Sequence, residues 1–175
     1  MNRRSFIKTM GWSVLGAGLI MRRGWMWEKI AWAEEFPKPA KRERCPVCGM
    51  FSARYPKWNA GMKFKDGKTV FFCSPKCFLH AYHHIGKYFP GRTKKDIVLM
   101  WVTDYYTTQK IKANDPDTYF VAGTTLVGPM GWDVVPVKGK EAAEIFKKDY
   151  GGTAVLHLDE VTEEQIERAR RGMRK

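Results

Sequence analysis

The sequence predicts an α+β fold: two tandem strand–strand–helix–strand modules followed by a C-terminal helix. Three observations predict it. Two strand-like runs, 59–65 and 68–73, flank Asp66-Gly67, a dipeptide that favours tight hairpin turns. Directly after the second run, Ser74 reads as a helix N-cap and Pro75 as the first helical residue. The same order of two strands, a helix and a strand then returns in the second half.

The N-terminus reads as a targeting segment rather than part of that fold. Arg3-Arg4 followed by Ser5, Phe6, Ile7 and Lys8 resembles a twin-arginine export signal. The apolar run 11–21 is about half the ~20 residues a bilayer-spanning helix needs. Ala31-Trp32-Ala33 supplies a small-x-small cleavage pattern, so residues 1–33 are expected to be removed after passage through the twin-arginine translocase. The alternative is a retained N-terminal anchor, and membrane association is expected only in that case. Either way the protein is expected in the periplasm.

Residues 34–44 are mostly polar, contain Pro37 and Pro39, and read as a linker to one domain over 45–175. Of the formal charge of +13, +8 remains on residues 34–175, which suits an acidic partner or an anionic surface. An exported protein rarely meets nucleic acid, and none is expected as a partner. Arg168, Arg170, Arg171, Arg174 and Lys175 crowd the C-terminus and read as a solvated basic tail.

Cys77, Ala81 and His84, with Phe78, Tyr82 and Ile85, recur at helical spacing and predict a helix over 75–88, closed off by Gly91. The stretch 96–104 is apolar enough for a buried strand. In the second half, 118–122 and 132–137 are strand candidates. Ala143, Phe146 and Tyr150 predict a helix over 140–150 that stops at Gly151-Gly152. A strand over 153–158 follows. Thr162 and Gln165 then form a capping-box pattern for a last, basic helix.

All four cysteines lie in two clusters, Cys45-Pro-Val-Cys48-Gly49-Met50 and Cys73-Ser-Pro-Lys-Cys77. Thiols and thioethers are ligands for Cu(I) and Zn(II). Two disulfides are the alternative in an oxidising compartment. A protein exported already folded can, however, load metal while its thiols are reduced. The position of Cys73 and Cys77 at a helix N-terminus predicts lowered thiol pKa values. His80, three residues after Cys77, could reach the same face, but it reads with His83 and His84 as a partly exposed polar histidine. His157 reads as solvent-facing. Cys-x-x-Cys without a following helix argues against a thiol oxidoreductase. No phosphate loop, serine nucleophile elbow or H-E-x-x-H motif is present, so no enzyme activity is expected.

Cys45 to Met50, Pro129-Met130-Gly131, then Ala142/Ala143, Phe146 and Gly151-Gly152 together resemble the NosL-like family. These are accessory copper chaperones of nitrous-oxide reductase. The resemblance covers nearly all of 34–175. The first half, with Phe72-Cys73-Ser74-Pro75-Lys76-Cys77, is also similar to YHS/TRASH metal-binding modules. The resemblance implies two linked strand–strand–helix–strand modules. It also implies Cu(I) held by Cys48, Met50 and Met130, with a copper enzyme or its assembly machinery as recipient. Two features depart from the family pattern. Cys45 follows Lys41-Arg42-Glu43-Arg44 and is no lipidation site, and Cys73/Cys77 add a second thiol pair. That pair opens a competing assignment: Zn(II) on Cys45, Cys48, Cys73 and Cys77, in a structural or sensing module that recruits a partner. Without the resemblance, Met130 reads as core packing.

Overall fold

The computed structural model describes residues 36–171. The export signal read over 1–33 and the last four residues of the basic tail lie outside them. Among the described residues, no helix is long and apolar enough to cross a membrane.

In the first module β1 (Ala60–Phe64) is central. It pairs antiparallel with β2 (Thr69–Phe72) on one side and β3 (Ile97–Thr103) on the other. A short β4 (Lys110–Lys112) extends the sheet beyond β3. The Asp-Gly turn closes the β1–β2 hairpin as predicted, with Lys68 N donating to Asp66 Oδ1 at 3.0 Å. Gly61 stands opposite Trp101, and a Cβ there would lie 2.2 Å from the indole. The missing side chain is what lets that ring cover β1.

The second module repeats the arrangement. β5 (Thr118–Ala122) is central between β8 (Val135–Lys138) and β9 (Ala154–Leu156), again antiparallel on both sides. Pro136 is tolerated because β8 is an edge strand. The tandem order predicted from sequence is therefore present. Besides β4, a hairpin of two two-residue strands is additional: β6 (Val127–Gly128) with β7 (Gly131–Trp132) interrupts the path from β5 to β8. The strand expected from residue 132 accordingly starts only at Val135.

Between β2 and β3 lie α1 (Pro75–His83) and the single-turn α2 (Ile85–Tyr88). The expected continuous helix breaks at His84, whose backbone leaves the helical region (φ −121°, ψ 44°). Ser74 Oγ accepts from Cys77 N as the N-cap, with Pro75 in the first turn. In the second module α3 (Lys140–Asp149) follows β8. The C-terminal α4 (Glu163–Arg171) opens on the expected box: Thr162 N donates to Gln165 Oε1, and Gln165 N to Thr162 Oγ1.

Alternation along β5 divides the core. Phe120 and Ala122 face the main cluster, with Phe72, Phe78 and Leu79 of the first module and Ile166 of α4. Val121 faces the other way, onto Val135, Val137, Ala143 and Phe146 beneath α3. Every residue of α1 from Pro75 to Tyr82 is buried. This first turn, enclosed by β2, α4 and the β6–β7 hairpin, is where the site forms.

Candidate metal centre

The first thiol pair sits on a backbone knuckle. Gly49 N donates to Cys45 O and Cys45 N to Met50 O, both at 2.8 Å. Gly49 adopts φ +76°, a conformation that costs other residues free energy, and this turns the chain so that Cys45 and Cys48 face inward. Arg44 Nη1 donates to Gly49 O at 2.9 Å and braces the loop. The second pair comes from the junction of β2 and α1: Cys73 just past the strand, Cys77 in the capped first helical turn.

The four Sγ atoms lie within 4.8 Å of one another. Cys48 and Cys73 are separated by 3.3 Å, Cys73 and Cys77 by 3.8 Å. All four are free thiols. A metal with bonds of about 2.3 Å to tetrahedral sulfur ligands needs sulfurs about 3.8 Å apart, so the cluster can hold one ion after small shifts, the closest pair opening and the widest closing. Cys45, Cys73 and Cys77 are buried, whereas Cys48 is half-buried.

The thiols share protons unequally. Hydrogen bonds from Cys73 and then Cys77 hold the Cys45 thiol far below its usual range, at about 2, against the opposing effect of burial. Cys48 is lowered to about 7, chiefly by a hydrogen bond with Cys77. Cys73 and Cys77 are raised, both mainly by their hydrogen bonds to Cys45. The helix N-terminus therefore does not lower this pair as expected, because donating to neighbouring sulfurs inside the core holds the protons on. A metal that takes these sulfurs as thiolates displaces the protons the cluster shares.

Cys48 lines two openings. One cavity, of about 200 Å³, is bounded by Val47, Cys48, Lys76, Cys77, His80 and Met130. The other includes Arg44, Cys48, Met50, Phe51 and Arg54. The structure thus brings Met130 and Met50 to the same thiol, but into separate openings. Met130 is 41% exposed, which excludes the core-packing reading.

Three residues outside the expected ligand set shape this centre. His80 is buried, at 4% exposure, not partly exposed. Its Nδ1 lies 3.7 Å from Glu167 Oε1 and its ring 4.7 Å from that of His84, which in turn pairs with Glu163 at 2.7 Å. These contacts fasten α4 to α1. The spacing of three from Cys77 was the only local signal for His80. Lys76 and Asp133 carried none. Lys76 Nζ donates to Met130 O at 2.8 Å and Trp132 O at 2.7 Å, and reaches Ala169 O near the end of α4 at 3.4 Å. Its backbone N donates to Asp133 Oδ1 at 2.7 Å. Burial pushes the Asp133 carboxyl up to about 6, against the pull of the Lys76 charge. This pair holds the hairpin that presents Met130. His157 is half-buried against Tyr119, with ring centroids 4.5 Å apart, instead of facing solvent alone.

A family model described as NosL matches residues 37–166. No curated protein matches the chain. Among solved structures, the crystal structure of the copper chaperone NosL from Shewanella denitrificans is similar, with a TM-score of 0.60 and 23% identity. The match covers 74% of this chain and 97% of that one. At this identity the likeness bears on the fold.

Proposed function

The chain belongs to the NosL family, and from that premise we propose that it carries Cu(I) in the periplasm and hands it to a copper enzyme or that enzyme's assembly machinery. The recipient proposed is nitrous-oxide reductase, which places the protein in denitrification. It acts as a carrier, not as an enzyme, and reaches its compartment through the twin-arginine route. The similar solved protein is itself a copper chaperone by name.

One observation carries the reading. Cys48 is the half-buried member of a cluster whose other three thiols are buried, and it shares an open cavity with a thioether, Met130, and an imidazole, His80. A delivery site needs soft donors that bind Cu(I) tightly, together with an open side where a partner's ligand can enter. Thioethers keep binding where protons compete for thiolates. Cys48, Met130 and Met50 are the proposed transfer ligands, with Cys45, Cys73 and Cys77 as the buried thiols behind them.

The convergence of all four sulfurs within 4.8 Å also favours a second reading, a structural Zn(II) site that closes the first module and recruits a partner. An anaerobic Cu(I) titration of the reduced protein against a colorimetric chelator, with metal analysis as isolated, separates the two. Tight Cu(I) binding with little zinc is expected. Stoichiometric zinc that copper does not displace, with no further Cu(I) site, would overturn the carrier reading.

A further inference from the structure

The knuckle is collared by positive charge. Residues 38–57 contain Lys38, Lys41, Arg42, Arg44, Arg54 and Lys57 against a single acidic residue, Glu43. All six cations are exposed, and among the described residues none forms an ion pair. Some basic residues elsewhere do have carboxylate neighbours, Arg92 with Asp66, Lys147 with Glu144 and Arg168 with Glu164. What distinguishes 38–57 is six cations against one carboxylate in the stretch of chain that carries Cys48.

Arg44 and Arg54 stand on that opening itself, beside Met50 and Phe51. Their guanidinium carbons lie 4.3 and 5.1 Å from the Phe51 ring centroid. An aromatic face therefore orients both, with no carboxylate neutralising either. Lys41, Arg42 and Lys57 are within three residues of them along the chain, so their Cα atoms lie within about 11 Å of those of Arg44 or Arg54. That backbone spacing is about one screening length at physiological salt, so the segment presents its positive charge to a partner as one patch. Next to the neighbouring opening, Val127 and Met130 expose apolar side chains on the β6–β7 hairpin.

Resting on the copper-carrier reading, we propose that this collar is the docking face for the protein that exchanges copper with Cys48, and that the partner surrounds its own Cu(I) ligand with carboxylates. A charged collar around a soft-metal site steers the encounter, raising association rates by roughly 10- to 1,000-fold at low salt without adding metal affinity. A protein is favoured over a lipid surface because the centre of the collar is a recess of thiol and thioether. A partner's side chain can enter that recess and exchange the ion, whereas anionic headgroups would only cover it.

The test uses two synthetic peptides with one Cys/Met metal-binding core, flanked by Asp/Glu in one and by Lys in the other. Fluorescence anisotropy on the metal-free, reduced protein measures docking, and stopped-flow transfer from the Cu(I)-loaded protein measures exchange. The acidic peptide is expected to dock and accept copper at least about tenfold better, with the advantage lost near 0.5 M salt. The triple variant Lys41→Glu/Arg42→Glu/Lys57→Glu is expected to lose that advantage with Cu(I) affinity and thermal midpoint unchanged, since none of the three lines the site. Equal behaviour of the two peptides, or indifference to the triple variant, overturns the proposal. So does retention of the protein on phosphatidylglycerol vesicles without preference for the acidic peptide, which would assign the collar to a membrane surface. If the protein fails to load Cu(I), the carrier reading falls, while the anisotropy arm still decides whether the collar recognises carboxylates.

Discussion

Lys76→Met tests how the Met130 hairpin is held over the thiols. Methionine keeps an apolar stem of similar length and removes only the ammonium group. Lys76 is 3% exposed, so its Nζ has little water to fall back on. Its bonds to Met130 O and Trp132 O, at 2.8 and 2.7 Å, are charge-assisted and each contributes about 1.5–3 kcal/mol. Their loss also leaves two carbonyls and the Asp133 carboxylate without their cation. Against this stands the desolvation cost that the buried ammonium no longer incurs. The net loss expected is about 3–5 kcal/mol, as when one partner of a buried pair is removed. For a domain of this size that lowers the thermal midpoint by roughly 10–20 °C. Urea unfolding of the reduced, metal-free protein at pH 7 measures it. Cu(I) affinity in the same variant should fall along with Met130→Ala, not independently of it, in a double-mutant cycle. A stability loss below about 1 kcal/mol, or strictly additive effects on affinity, would refute the claim that Lys76 positions Met130.

Two further outcomes follow from the same geometry. Met130→Ala should weaken Cu(I) binding at least about tenfold, about 1.4 kcal/mol, in a chelator competition. Because the side chain is 41% exposed, unfolding should shift by no more than about 0.5–1 kcal/mol, and unchanged affinity would remove Met130 from the ligand set. Asp133 should make the protein lose stability as pH rises. Its folded carboxyl is raised to about 6 from an ordinary 3.8, so the native state holds the proton more tightly than the unfolded chain. The stabilisation is complete below about pH 4 and disappears through about pH 6, a change of about 3 kcal/mol. Asp66 and Asp96, whose carboxyls are lowered, act in the opposite direction. The relevant quantity is therefore the difference between the wild type and Asp133→Asn in urea unfolding from pH 4 to 7. Parallel curves would mean that Asp133 does not titrate in this range.

What the sequence determined by itself is local. The Asp66-Gly67 turn, the Ser74-Pro75 cap and the Thr162/Gln165 box each depend on atoms within four residues of one another, and each formed where it was read. The spacing of Cys45, Cys48, Cys73 and Cys77 pointed to a cluster that could hold a metal, because ligand type and separation along the chain carry that signal. The tertiary structure decided what lies between elements. Lys76 meets Asp133 across 57 positions, and no local pattern marks either one as a partner. His80 became buried because α4 closes over α1, a packing event that helical periodicity on one segment does not encode. The break at His84 and the two-residue strands of the β6–β7 hairpin are too short for a periodic signal. Met130, ambiguous between core and ligand in the sequence, was assigned to the opening beside Cys48 by hydrogen bonds from another module. Burial and long-range pairing depend on which surfaces exclude water together, and that exists only once the two modules are packed.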